Sequence, residues 1–239
     1  RTRILALLER LGQPLVYVAS GDFWMGSDDG LIDERPRHSV WLPEYWIDRY
    51  PVSNAQYATF VTETGYQAQG SWRDEFSAGK ERHPVVLVTW DDACAYAEWC
   101  GKRLPSEAQW EKAARGSDGR TWPWGKVWDG NRCNVGGHGT TVVGSYPQGV
   151  SPYGCQDLAG NVEEWVADRY SADYYVRSLA IEPLPLNPRG SIYGKHRVVR
   201  GGSWSSNRGY ACCAHRYHHH PDNRYSDLGF RVCCVSPIS

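Results

Sequence analysis

Eight cysteines and eight histidines are the side chains of this chain best suited to hold a soft or borderline metal ion or to act as nucleophiles. Several crowd near the C-terminus: Cys212, Cys213, His215, the run His218-His219-His220 and the pair Cys233-Cys234. The ligand types suit zinc or copper, but their spacing matches no closed site. Three consecutive histidines on an extended chain also point in diverging directions. A solvent-facing histidine cluster is therefore favoured over a metal centre. Cys94, Cys100, Cys133 and Cys155 form no Cys-x-x-Cys spacing, and adjacent cysteines rarely bridge to each other. Reduced thiols in a cytoplasmic protein are the expectation, with an exported or cell-surface protein as the alternative.

Elements able to position such residues announce themselves by their caps. Ser53 with Gln56 reads as a capping box, followed by Tyr57, Phe60 and Val61 on one face and Gly65 as terminator. Thr89 with Asp92 opens a second helix carrying Ala93, Tyr96, Ala97 and Cys100, closed by Gly101. Ser106 with Gln109 opens a third through Trp110, Ala113 and Ala114 to Gly116. Residues 15–26 read as two short strands around a Ser-Gly-Asp turn, and residues 40–49 as another strand. Residues 1–14 carry leucines at helical spacing and read as a helical stub or linker ahead of one domain over 15–239. Beyond residue 116 regular helix disappears, and short apolar runs alternate with Gly, Pro, Asn and Asp. No tandem repeat is present. The result is a single loop-rich α+β domain with a mixed or antiparallel sheet and two to three helices.

Composition agrees. The chain has 12 Trp and 15 Tyr against 4 Phe, with 25 Gly and 14 Pro, which suits an irregular core where ring N–H and O–H groups find backbone partners. With 26 basic and 27 acidic residues the charge is nearly balanced, so neither nucleic-acid binding nor attachment to an anionic membrane is expected. No stretch approaches the roughly 20 apolar residues of a membrane span. The chain begins at Arg1 without a Met, and a place within a larger multidomain chain is expected.

Seven segments then fall into a recognisable order: Gly21-Asp-Phe-Trp-Met-Gly-Ser, Tyr50-Pro-Val-Ser-Asn-Ala-Gln-Tyr, Lys102 to Gly116, Trp122-Pro-Trp-Gly, Asp157-Leu-Ala-Gly-Asn-Val-Glu-Glu-Trp, Arg200-Gly-Gly-Ser-Trp and Leu228-Gly-Phe-Arg-Val. The series resembles the formylglycine-generating enzyme or sulfatase-modifying-factor family from about residue 21 to residue 232. The resemblance implies a C-type-lectin-like fold. Family enzymes oxidise a substrate cysteine with copper held by two cysteines, soft sulfur being selective for Cu(I). The corresponding positions here are Ser206 and Ala211. No copper and no enzymatic activity are therefore expected. The resemblance also implies a structural calcium site, with the carboxylates of Asp157 and Glu164 and the backbone carbonyls of Gly160 and Val162.

Residues 200–234 alternate framework blocks with blocks of another kind. Ser205, Ser206, Asn207, Arg208, Gly209 and Tyr210 form the first. His215 is the second, Tyr217, His218, His219 and His220 the third, and Tyr225, Ser226 and Asp227 the fourth. These fourteen positions hold only Ser, Asn, Arg, Gly, Tyr, His and Asp. The set excludes Trp, Gln, Lys, Glu and Met, as adenine-directed randomisation of Asn codons does. The pattern resembles the variable region of retroelement-diversified proteins that use this fold. Tyr with Ser, Gly and Asn is also the chemistry of antibody paratopes. The expected function is a ligand-binding domain presenting this face to a variable ligand, with a protein as the expected kind. An oxidoreductase and an invariant regulatory domain are the alternatives.

Overall fold

A computed structural model of the chain describes residues 14–180 and 186–235. The expected helical stub over residues 1–14 lies, but for Pro14, outside them. Nine strands form three small sheets. Strands β1 (Leu15–Val18), β4 (Tyr45–Asp48) and β9 (Cys233–Cys234) make an antiparallel sheet in the order β1-β4-β9, which brings both ends of the described chain together. Strands β2 (Gly21–Met25) and β3 (His38–Leu42) pair antiparallel as a separate ribbon. Four strands make the third sheet in the order β7-β6-β5-β8, namely β5 (Glu163–Arg169), β6 (Arg197–Arg200), β7 (Tyr217–His219) and β8 (Leu228–Phe230). Only the β5–β8 pairing is parallel there.

All three predicted N-caps are present, each as a full capping box. They open α1 (Asn54–Thr64), α2 (Trp90–Trp99) and α3 (Glu107–Arg115) at Ser53, Thr89 and Ser106. Each cap hydroxyl accepts the N3 amide, and the N3 side chain returns to the cap's own amide, so two orphan donors are satisfied per helix. Two expectations are corrected. A fourth, six-residue helix, α4 (Tyr174–Leu179), lies beyond residue 116, and its N-cap makes no side-chain hydrogen bond that would mark it. The strand expected over 40–49 is two, β3 and β4, parted at Pro43, whose ring removes the donor that a continuous ladder needs.

Every residue of α3 is buried, although four of the nine are charged. The charges act as bolts. Lys112 donates to the carbonyls of Ala19 and Gly21, Arg115 to those of Trp24 and Gly26 and to Glu111, and so the β1–β2 connection is tied to the helix. One apolar core lies between α3 and strands β1 to β4. A second, rich in Tyr57, Phe60, Trp72, Tyr96, Trp165 and Phe230, lies between α1, α2 and the four-stranded sheet.

Candidate functional site

Three buried arginines from the framework blocks set the C-terminal segment on this scaffold. Arg231 donates to both carboxylate oxygens of Glu164 at 2.7 Å, and Arg216 to both oxygens of Glu107 at 2.7 and 3.0 Å. Arg200 pairs with Glu107 and Glu111 while also donating to the carbonyls of Cys213 and Ala214. Glu107 and Glu111 both belong to α3, so this helix fixes the floor beneath residues 211–216. Such forked pairs hold direction as well as distance.

Above that floor, residues 203–210 form a turn. The amides of Gly136 and Gly137 donate to the carbonyls of Ser206 and Trp204 at 3.1 and 2.7 Å. The indole N–H of Trp122 reaches the Arg208 carbonyl, and the Trp204 amide reaches the Asn161 carbonyl. Gly202 enters the turn at φ 63°, where a Cβ would stand 2.9 Å from the Tyr210 carbonyl oxygen. The Asp227 carboxylate ties the neighbouring segment in, accepting from the hydroxyls of Ser203 and Ser205 at 2.8 and 2.7 Å.

The result is a cavity of about 570 Å³ lined by Ser205, Ser206, Asn207, Tyr210, Tyr217, His219, Tyr225, Asp227 and Glu163. Eight of the fourteen sequence-predicted positions thus converge from three separate segments. Tyr210, Tyr217 and Tyr225 are each exposed by more than two-fifths. His219 is held among Trp165, Tyr217 and Tyr225, with Nε2 3.1 Å from Glu163 Oε2.

The other six predicted positions lie elsewhere. Arg208, Gly209 and Ser226 are exposed, and only Gly209 of these borders a second cavity of about 880 Å³, which shares Tyr210 with the first. His215 lines that second cavity but is buried, and its Nε2 has no partner there. Burial, and secondarily the Arg200 charge, press its pKa down to about 4. Strand alternation along β7 keeps His218 out of the cavity lining that Tyr217 and His219 share. Its ring lies 4.0 Å from that of Tyr170 and 4.9 Å from that of His196. His220 is exposed and 3.3 Å from Asp222. Glu163 was missed by sequence reasoning, which spent the Glu-Glu pair on Glu164. The two-residue period of a strand separates the pair and could have found it.

The calcium set does not fit these residues. Glu164 has both oxygens engaged by Arg231 and accepts a further bond from the Trp110 indole. Asp157 Oδ2 is committed to the Gly144 amide at 2.7 Å. The Gly160 carbonyl accepts from the Val162 amide. Among the described residues, no three His, Cys, Asp or Glu side chains stand close enough to share a metal ion. All eight cysteines are free, and burial holds the Cys212 thiol up at about 11. At the two positions where the resemblance places thiols, Ser206 bonds to the Ser203 amide and Ala211 is fully buried beside Cys133 and Ala159. Among the described residues no helix is long and apolar enough to cross a membrane.

Comparison with known proteins places this geometry. Serine/threonine-protein kinase Pkn1 of Chlamydia trachomatis is 40% identical over 91% of this chain. The chain spans only 37% of that protein's length. Formylglycine-generating enzyme of Thermomonospora curvata is 33% identical, with 96% of each chain covered. The solved structure of Treponema denticola variable protein 1 superposes with a TM-score of 0.75 at 22% identity, covering 93% of this chain and 95% of that one, and so shares the fold. The expectation that the chain is not an enzyme is corrected here. A relative matched over nearly its whole length is named as an enzyme, and the two replaced thiols bear on one copper chemistry only, not on every chemistry of the family. With the model of the sulfatase-modifying factor enzyme 1-like domain matching residues 8–235, the chain belongs to that family.

Proposed function

We propose that this domain binds a protein ligand through the cavity of Tyr210, Tyr217, Tyr225 and their neighbours, and that the residues lining it are of a diversified kind. One observation carries the reading: eight positions interposed between framework motifs, from three separate segments, meet at one cavity. Their chemistry supports it. Tyrosine gives rigid amphipathic contact area at low entropic cost, and Ser and Asn adapt their hydrogen bonds to many partners. The framework supports it too, since Arg200, Arg216 and Arg231 are wholly buried while the tyrosines stand half-exposed.

The test is simultaneous replacement of Tyr210, Tyr217 and Tyr225 by alanine. Thermal melting is expected to stay within a few degrees of wild type, because the three side chains are part-exposed and belong to neither apolar core. Binding of any ligand selected on the wild-type domain is expected to fall at least a hundredfold, as for loss of interface aromatics. A collapse in melting temperature, or retained binding, overturns the reading. The diversified character is tested separately in the source genome. A near-copy of the segment encoding residues 200–234, differing at adenines and lying beside a reverse transcriptase gene, is the expected finding.

A further inference from the structure

Resting on the reading that this cavity binds a protein, we propose that the group it takes in is a cationic side chain, the ammonium of a lysine or the guanidinium of an arginine. Two carboxylates line the cavity, Glu163 and Asp227, and no Lys or Arg does. Four interior carboxylates are matched by cations, Glu107, Glu111 and Glu164 by arginines and Asp48 by Lys102, while others such as Asp92 and Asp157 rest on backbone amides. Among the described residues, neither cavity carboxylate has a Lys or Arg ion-pair partner. Glu163 meets His219, through Oε2, and Asp227 accepts the hydroxyls of Ser203 and Ser205, also through one oxygen. His219 engages only Oε2 of Glu163, and no Lys or Arg charge is set against that carboxylate in the lining. Arg208, in the same turn, is exposed and outside the lining.

The walls favour the same guest. Tyr210, Tyr217 and Tyr225 present ring faces whose negative quadrupole attracts a cation within about 6 Å of the centroid. Tyrosine walls also suit the alkyl stem of Lys or Arg, which packs on apolar surface while its head seeks charge. An anionic guest would meet two carboxylates and neither Lys nor Arg. A purely apolar one would leave both carboxylates desolvated and unpaired, a costly outcome.

The experiment is selection of a displayed random peptide library on the intact wild-type domain, on Glu163→Gln and on the triple tyrosine-to-alanine variant. Glu163→Gln keeps the shape and the acceptor for His219 but removes the charge. The expected result is wild-type-selected peptides carrying a Lys or Arg that is indispensable on alanine scanning. They should bind Glu163→Gln roughly tenfold more weakly, a loss typical of one charge pair in a half-exposed site, and binding should weaken with added salt. Peptides that need the three tyrosines but carry no essential basic residue overturn the cationic guest and leave the binding face standing. Peptides indifferent to the tyrosines, or no selected peptides at all, overturn both. Melting curves of each variant separate lost binding from lost fold.

Discussion

Glu164 spends both carboxylate oxygens on the Arg231 guanidinium and one of them again on the Trp110 indole, all inside the closed interior. Removing Arg231 alone strands a buried carboxylate, and Arg231→Leu is expected to cost about 3–5 kcal/mol in urea unfolding. Replacing both partners with leucine should recover much of that loss, because no charge is then left without a mate. His215 offers a second test through pH. The unfolded chain protonates this ring near the ordinary value of about 6.5, whereas the folded protein resists until about 4. Its contribution to stability is therefore complete above about pH 6.5 and is lost as pH falls toward 4. Asp157 and Asp168 are raised by burial to about 6 and about 7, and act in the opposite sense, their contributions shrinking as pH rises through those values. Subtracting the profile of His215→Phe from wild type isolates the histidine. The stability advantage of wild type should narrow between about pH 7 and pH 4.5, and a constant difference excludes a buried neutral ring.

The three long helices were legible because their ends are written locally: Ser53, Thr89 and Ser106 each stand three residues before a side chain that completes a box. Ser106→Ala should cost about 1 kcal/mol by denaturant titration, and α3 is well placed to reveal it, because Arg200, Arg216 and the β1–β2 connection all anchor on this helix. Strand partners were not legible. Strands β1 and β2 are adjacent in the chain yet join different sheets, because pairing depends on which distant strand offers a free edge. The same limit hid Glu163, whose role exists only once β7 and the 203–210 turn are brought beside β5. Gly202 is the element-scale weak point. Its left-handed backbone and the nearby Tyr210 carbonyl leave no room for a methyl group, so Gly202→Ala should lower melting and displace the turn. Weakened ligand binding by this variant, with all fourteen predicted side chains intact, is the check.

At the scale of the molecule, the family and its fold were readable from motifs spread over nearly the whole chain, whereas the site was readable only as a list of positions. Residue type marked which side chains were unlike framework. The fold decided that eight share a cavity, that His218 turns to Tyr170 and that His215 lies beneath. The turn carrying the first block is suspended chiefly by main-chain atoms: the carbonyls of Trp204, Ser206 and Arg208 accept its principal bonds from Gly137, Gly136 and Trp122. A peptide carbonyl is the same whichever side chain follows it. The loop's shape is thus carried in large part by its backbone, to which Ser205, Ser206 and Asn207 add short side-chain bonds of their own. A saturation library over residues 205–210 should consist mainly of protease-resistant, folded members, whereas the same library over residues 200–203 should be mostly lost.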